Sequence, residues 1–283
     1  MASRLTLTVL IDNTTLMDQD LLGEAGLSLL IENSGKKILF DTGLSGNFLF
    51  NAEKLGIGLH DLDLLVFSHG HVDHTGGLPT LIRYLTGTSP EGRKPRVPEV
   101  LAHPRCFWPK EKDGRNNGSP LNEGEVRMQF PTSLSEKPVW ITDDLVYLGE
   151  IQKRFAFEHG DPGKRTIHLP DGNTEPDYLL DDTALAFRSA EGLIIITGCS
   201  HAGICNITEY AREVCGEKKV RDVIGGLHLL SPEPKRLKKT GKYLNRLHMG
   251  ALHACHCTSL PAKIALADYC PMQEVCVGMK LVW

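Results

Sequence analysis

The chain has 283 residues, 41% hydrophobic and 23% charged, enough for one large domain or two small ones. Its formal net charge of -4 gives no electrostatic reason to expect nucleic acid or an anionic membrane surface as a partner. No apolar run approaches the roughly 20 residues that cross a bilayer, and the N-terminal stretch lacks the uninterrupted apolar core of a signal peptide, so a soluble, cytoplasmic protein is expected.

In chain order, "RLTLTVLID" reads as a strand with Leu5, Leu7 and Val9 alternating, broken at Asp12 and Asn13. "GLSLLIENSGKKILFDTG" predicts a hairpin about Asn33-Ser34-Gly35. "LFNAEKLGI" has a helical pattern, and "LDLLVFSH" is a short buried strand that ends at His69. "GGLPTLIRYL" then starts a helix. From Thr86 to Pro138 eight prolines and "EKDGRNNGSPLNEGE" break regular structure repeatedly, which predicts a loop-rich insertion, either a lid or a surface excursion.

Strands return with "VWITDDLVYLGEI", and "DDTALAFRSAEGLIIITGCSH" predicts a second hairpin across Ala190-Glu191-Gly192. "GICNITEYAREVC" reads as a helix, "VRDVIGGLHLL" as a strand and "PEPKRLKKTGKYLNRLH" as a basic amphipathic helix. Its charges read as a solvated face, because no aromatics interleave. "ALHACHCTS" ends another strand. Two halves, each opening with strands and closing with strand–helix units, suggest packed sheets with helices outside. Seven of the eight cysteines lie at or after Cys199, an arrangement that favours reduced thiols over a disulfide framework. Cys106, Cys215, Cys270 and Cys276 read as small buried apolar groups.

The chemistry concentrates in "SHGHVDHTGGL", where His69, His71, Asp73 and His74 fall within six positions. Imidazole and carboxylate suit first-row divalent metals. His69 and His71, two apart at a strand end, can leave from the same side, while Asp73 and His74 can point at a second metal as the chain turns into a helix. One loop cannot close two metal sites, so further ligands are expected at other strand ends. Cys199 and His201 in "LIIITGCSHAG" and His256 in "HACHCTS" are the stronger candidates, followed by His228 in "VIGGLHLL" and His159 in "FAFEHGDPG". His60, His103, His168, His248 and His253 read as surface or structural residues.

"SHGHVDHTGG" resembles the H-x-H-x-D-H signature of the metallo-β-lactamase superfamily, and the resemblance covers nearly the whole chain, with about 86–138 as an insertion in a single domain. It implies an α/β fold, the four-layer αβ/βα sandwich, with a dinuclear metal site at one edge. It also implies that Asp41 of "FDTG" supports the site from behind the ligands. His69 and His71 would hold one metal, Asp73 and His74 the other, with His256 completing the second. The strand end that usually carries a bridging Asp holds Cys199 here, and the stretch "TEPDYLLDD", where a third His is usual, has none. We therefore infer His201 as the third ligand of the first metal, with Cys199 and His228 as additional ligand candidates.

"TGCSHAGICNI", "IGGLHLL" and "HCTS" are together similar to the branch of dihydropterin-methyl ribofuranosylaminobenzene phosphate synthase-like proteins. Thiolate and imidazole ligands favour zinc, in two ions, with iron or manganese as alternatives. The expected activity is hydrolysis of a small-molecule ester, lactone, lactam or similar bond by a metal-activated water, with Asp73 orienting it and carrying its proton. The alternatives are a transferase joining a dihydropterin to a ribofuranosylaminobenzene phosphate, and a non-catalytic metal-binding protein. For the transferase, Arg93, Lys94 and Arg96 could provide an anion pocket.

Overall fold

The computed structural model describes residues 4–87, 94–158 and 160–283. The chain opens with β1 (Leu5–Ile11), β2 (Ser28–Asn33), β3 (Lys36–Phe40), α1 (Asn47–Lys54), β4 (Leu64–Val66), α2 (Val72–Thr75), α3 (Leu78–Thr86) and β5 (Glu99–Ala102). Then come β6 (Lys110–Lys112), β7 (Arg115–Asn116), α4 (Glu123–Gln129), β8 (Thr132–Leu134), β9 (Val139–Trp140) and β10 (Leu145–Tyr147). These are followed by β11 (Arg165–His168), β12 (Thr174–Pro176), β13 (Ala184–Ser189), β14 (Gly192–Thr197) and α5 (Ile204–Cys215). The chain closes with β15 (Val220–Gly226), α6 (Pro234–Arg246), β16 (Ala251–Cys255), α7 (Leu260–Ala267) and β17 (Lys280–Val282).

Seven strands form one sheet in the order β17-β1-β2-β3-β4-β5-β8, and six form a second in the order β16-β15-β14-β13-β10-β9. A smaller sheet follows the order β12-β11-β6-β7. The β2–β3 hairpin pairs Asn33 with Lys36, so its turn is Ser34-Gly35, both at positive φ as the strand twist requires. Alternation along the strands decides the layers. Leu5, Leu7, Leu29 and Ile31 face Leu185, Phe187, Ile194 and Ile196 across the sheet–sheet core. On the other side of the first sheet, Leu10, Leu30 and Leu65 meet Phe48 of α1 and Leu78 and Leu81 of α3. The outer side of the second sheet packs Ala186 and Ile195 against Ile207 of α5, Leu244 of α6 and Leu266 of α7. The layers are therefore helix, sheet, sheet, helix, the αβ/βα sandwich expected.

Three local differences from the sequence reading have physical causes. The proline-rich stretch supplies β5 and β8 to the first sheet, because Pro98 and Pro131 each sit just outside a strand and interrupt neither. "VWITDDLVYLGEI" is split into β9 and β10, which pair with each other. Helix α7 was not anticipated: it buries Ala262 and Leu266 but exposes Leu260 and Ile264, which blurs its apolar stripe. Helix α6 keeps Lys235, Lys238, Lys239, Lys242 and Arg246 exposed while Thr240, Gly241 and Leu244 are buried. No helix among the described residues is long and apolar enough to cross a membrane.

Strands β3 and β4 are parallel, as are β14, β15 and β16. Their C-terminal ends open toward one rim, the usual place for a site in sheets of this kind. Ile196 lies fully buried between the sheets. Its replacement by Ala should cost about 2–5 kcal/mol, read as a lower urea midpoint at unchanged slope. Ile264→Ala on the exposed face of α7 should stay within about 0.5 kcal/mol of wild type.

Candidate metal centre

Each loop at the rim leaves a strand abruptly. Asp41 follows β3, Ser68 to His74 follow β4, Cys199 to His201 follow β14, His228 follows β15 and His256 follows β16. Asp41, Ser200, His228 and His256 all have φ between 47° and 61°. Left-handed backbone at a non-glycine residue costs of order 1–3 kcal/mol and persists only where neighbours over-determine it. Here they do. Ser200 Oγ donates to Gly226 O at 2.7 Å, and the His256 N–H donates to Asp12 Oδ1 at 2.8 Å. Gly198 lets β14 end against the first loop, since a Cβ there would lie 2.1 Å from Ser68 Oγ.

The buried Asp41 carboxylate accepts from Ser68 N at 2.8 Å, Ser68 Oγ at 2.6 Å and His74 Nδ1 at 2.6 Å. Because Ser68 Oγ gives its only proton to Asp41, it can accept from His69 Nδ1, 3.0 Å away. One carboxylate therefore holds a proton on Nδ1 of both His69 and His74 and turns Nε2 of each ring toward the rim.

Two donor groups result. The ligand atoms of His69, His71 and His201 lie within 4.8 Å of one another, and so do those of Asp73, His74, Cys199 and His256. His69 Nε2 and His71 Nδ1 are 3.1 Å apart, and His74 Nε2 is 3.2 Å from Cys199 Sγ. Asp73 Oδ2 stands 3.8 Å from His74 Nε2 and 3.4 Å from His256 Nε2. Two ligands of one tetrahedral zinc are separated by about 3.3–3.6 Å, so these spacings suit a shared ion. His201 Nε2 is buried and has no hydrogen-bond partner among the described residues. Both groups fit a divalent metal.

Electrostatics divides the groups. Burial, reinforced by the neighbouring rings, holds His69 and His201 well below the ordinary imidazole value. Burial likewise pushes His71 down to about 3, against the pull of Asp73 and Asp181. All three are neutral at physiological pH, the form that ligates. Burial also opposes the charge on His74, but Asp41 and Asp73 outweigh it and raise that imidazole to about 9. Against its own burial, Asp73 is held well below the usual carboxylate range by His74 and His256.

The rim thus brings together His69, His71, Asp73, His74, Cys199, His201 and His256, with Asp41 behind them. His228 is there too: its ring is 4.2 Å from that of His201, and it groups with Cys199 and His201. His159 and Arg93 lie outside the described residues. Arg96 pairs with Asp63, and Lys94 is exposed. His103, Glu136 and Glu150 form another donor group. However, His103 Nδ1 accepts from Arg105 N, which puts the ring proton on Nε2, 3.4 Å from Glu150, and leaves no lone pair for a metal. Ser68 and Asp12 escaped the sequence reading. A signal for Asp12 was present, since "TVLID" ends an apolar strand in Asp just as "ILFD" does.

A model of the Metallo-beta-lactamase superfamily matches residues 22–212. The chain is 32% identical over 251 residues to the 7,8-dihydropterin-6-methyl-4-(beta-D-ribofuranosyl)-aminobenzene-5'-phosphate synthase of Methanocaldococcus jannaschii, covering 84% of this chain and 82% of that protein. The crystal structure of Tm1679, a metal-dependent hydrolase of the beta-lactamase superfamily, has a TM-score of 0.81 at 30% identity and covers 98% of both chains. A diphosphatase from the PhnP family, at 14% identity and a TM-score of 0.56, covers 100% of this chain and 98% of its own and is alike in fold alone.

The raised imidazole of His74 carries a stability consequence in chelator-treated protein. Its folded value of about 9 exceeds the free value of about 6.5. The stabilisation is therefore complete below about pH 6.5 and lost as pH rises through about 9. The urea midpoint should fall between pH 7 and 10, and Asp41→Asn should flatten that fall. Equal slopes in the two proteins would show that the pair does not act this way.

Proposed function

The chain belongs to the metallo-beta-lactamase superfamily, and from that premise we propose that it is a metal-dependent hydrolase acting on a small molecule. The observation that carries this reading is the pair of adjacent donor groups, one of three neutral imidazoles and one containing a carboxylate, an imidazole pair and a thiol. In this reading His69, His71 and His201 hold one divalent ion, and Asp73, His74, Cys199 and His256 hold a second, with His228 as a further donor beside Cys199. Burial raises the Cys199 thiol well above its ordinary value. Its ionisation would thus follow metal binding, as coordinated thiols do. The mixed imidazole and thiolate set favours zinc.

What bound ions supply is acidification of a water toward neutral pH and polarisation of the oxygen under attack. The chain's own residues do the rest. Asp73, anionic and 33% exposed at its side chain, orients the attacking water, takes its proton and returns it to the leaving group. Asp41 and Ser68 hold the Nδ1 protons of His69 and His74, so that Nε2 is the nitrogen of each ring left to ligate, His74 giving up its second proton as the ion binds. The stretch between β5 and β8, residues 103–131, serves as cover on the substrate side, a role supported by the hydrogen bond from Val72 N to Asn117 O at 2.9 Å. The substrate is an ester, lactone, lactam or similar small molecule, handled in the cytoplasm without nucleic acid or membrane.

The 32% identity to the M. jannaschii synthase supports a second reading, a transferase that joins a dihydropterin to a ribofuranosylaminobenzene phosphate. One experiment separates the two. Purified protein should contain two equivalents of metal and turn over part of a panel of lactones, lactams, thioesters and phosphodiesters. Activity should disappear with chelator, and Asp73→Asn should cost about 10²–10⁴-fold in kcat. A silent panel together with turnover of dihydropterin pyrophosphate would transfer the assignment to the synthase reaction. Absence of stoichiometric metal would end both readings.

A further inference from the structure

The loop of His69 and His71 leaves β4 in one sheet, and the loop of His201 leaves β14 in the other. A three-histidine site forms only if these independent loops hold their rings within about 0.5 Å of the productive geometry. Between them runs Asp181-Asp182-Thr183, which leads into β13. Asp181 Oδ2 accepts the N–H of Gly70, the residue between His69 and His71, at 2.8 Å. Asp182 Oδ2 accepts the N–H of Ala202, the residue after His201, at 2.9 Å. The Thr183 N–H donates to Ser68 O at 2.9 Å. All three residues are buried.

The arrangement leaves little freedom. A Cβ on Gly70 would lie 1.9 Å from Cys106 O, so the first loop is pressed against the chain on its other side. The ammonium of Lys110, itself buried, stands 3.1 Å from Asp181 and 3.7 Å from Asp177. Taking charges out of water is expensive unless they are paired, and their retention is best attested where they set a register. Neutral groups could have satisfied the same two amides.

We propose that Asp181 and Asp182 are positioning residues for the three-histidine metal site, Asp181 tethering the His69–His71 loop with Lys110 as its counter-charge and Asp182 tethering the His201 loop. This rests on the reading of His69, His71 and His201 as metal ligands. The two carboxylates touch neither ion in that reading. They act through the backbone beside the ligands, Gly70 between His69 and His71 and Ala202 directly after His201, so their loss is expected to fall most heavily on that site. That selectivity separates positioning from a general loss of packing.

The test is a cobalt(II) titration of the full chain, followed by calorimetry and by visible absorption. Wild type should take two equivalents. In Asp182→Ala the three-histidine site should weaken about 10–100-fold, while the charge-transfer band from the Cys199 thiolate should saturate as in wild type. Asp182→Asn, whose amide oxygen can still accept from Ala202, should recover most of the loss. If Asp182→Ala does not fold, Asp181→Ala combined with Lys110→Met and Asp177→Asn removes the buried cation together with both of its charged partners and should give the same selective loss through Gly70. Equal weakening of both sites, or no change in either, would overturn the proposal while leaving the metal reading intact. Wild-type protein that binds no cobalt would overturn both.

Discussion

A carboxylate removed from water needs its lone pairs occupied, and Asp41 meets that demand with donors from two different parts of the first loop. Its partners are the backbone and hydroxyl of Ser68 and the ring of His74, six residues on. Satisfying one buried charge therefore bends the loop and orients a histidine from each donor group, since Ser68 passes the constraint on to His69. The pull of Asp41 also raises the His74 imidazole while its neighbours remain neutral. Much of the geometry and charge of the first loop descends from this one carboxylate.

The sandwich explains why such a hub can be rigid. Strands β3 and β14 carry continuous apolar runs buried on both faces, so their ends have little room to move. Strain is stored just beyond those ends, in the left-handed backbone of Asp41, Ser200, His228 and His256. Hydrogen bonds from other elements hold each turn, as Asp12 holds His256 from 244 residues away. The same sheets that exclude water from the core thus bear the cost of the site's unusual backbone.

Much of the rim was legible because its signals are local. Four candidate ligands within six residues, Cys199 and His201 after "LIIITG", and His256 after "ALHAC" each stand at the end of an apolar run. A strand end announces itself within a few residues, so these positions could be grouped before any fold was known. His228 was also visible, but its distance from His201 was not. The hidden contributors were ordinary polar residues. Asp181, Asp182 and Lys110 match no motif, and the contact between Gly70 and Asp181 joins residues 111 apart. Ser68 precedes the cluster directly, yet a serine before a histidine has no meaning until a carboxylate is seen to take its proton.

The sequence by itself therefore determined the alternation that sorts strands into layers, the hairpin turns, and the set of residues with metal-ligating chemistry. These follow from side-chain period, backbone preference and donor type, all properties of short segments. Only the tertiary structure decided which donors lie within reach of one another, which ring nitrogens of His69 and His74 face the rim, and which buried charges lie against the loops. Those outcomes depend on distances between segments far apart in the chain and on the absence of water between them. No local pattern encodes either quantity. The proline-rich stretch shows the same division: its breakers were plain in the sequence, but the docking of β5 beside β4, and of β8 beside β5, came from the sheet edge that received them.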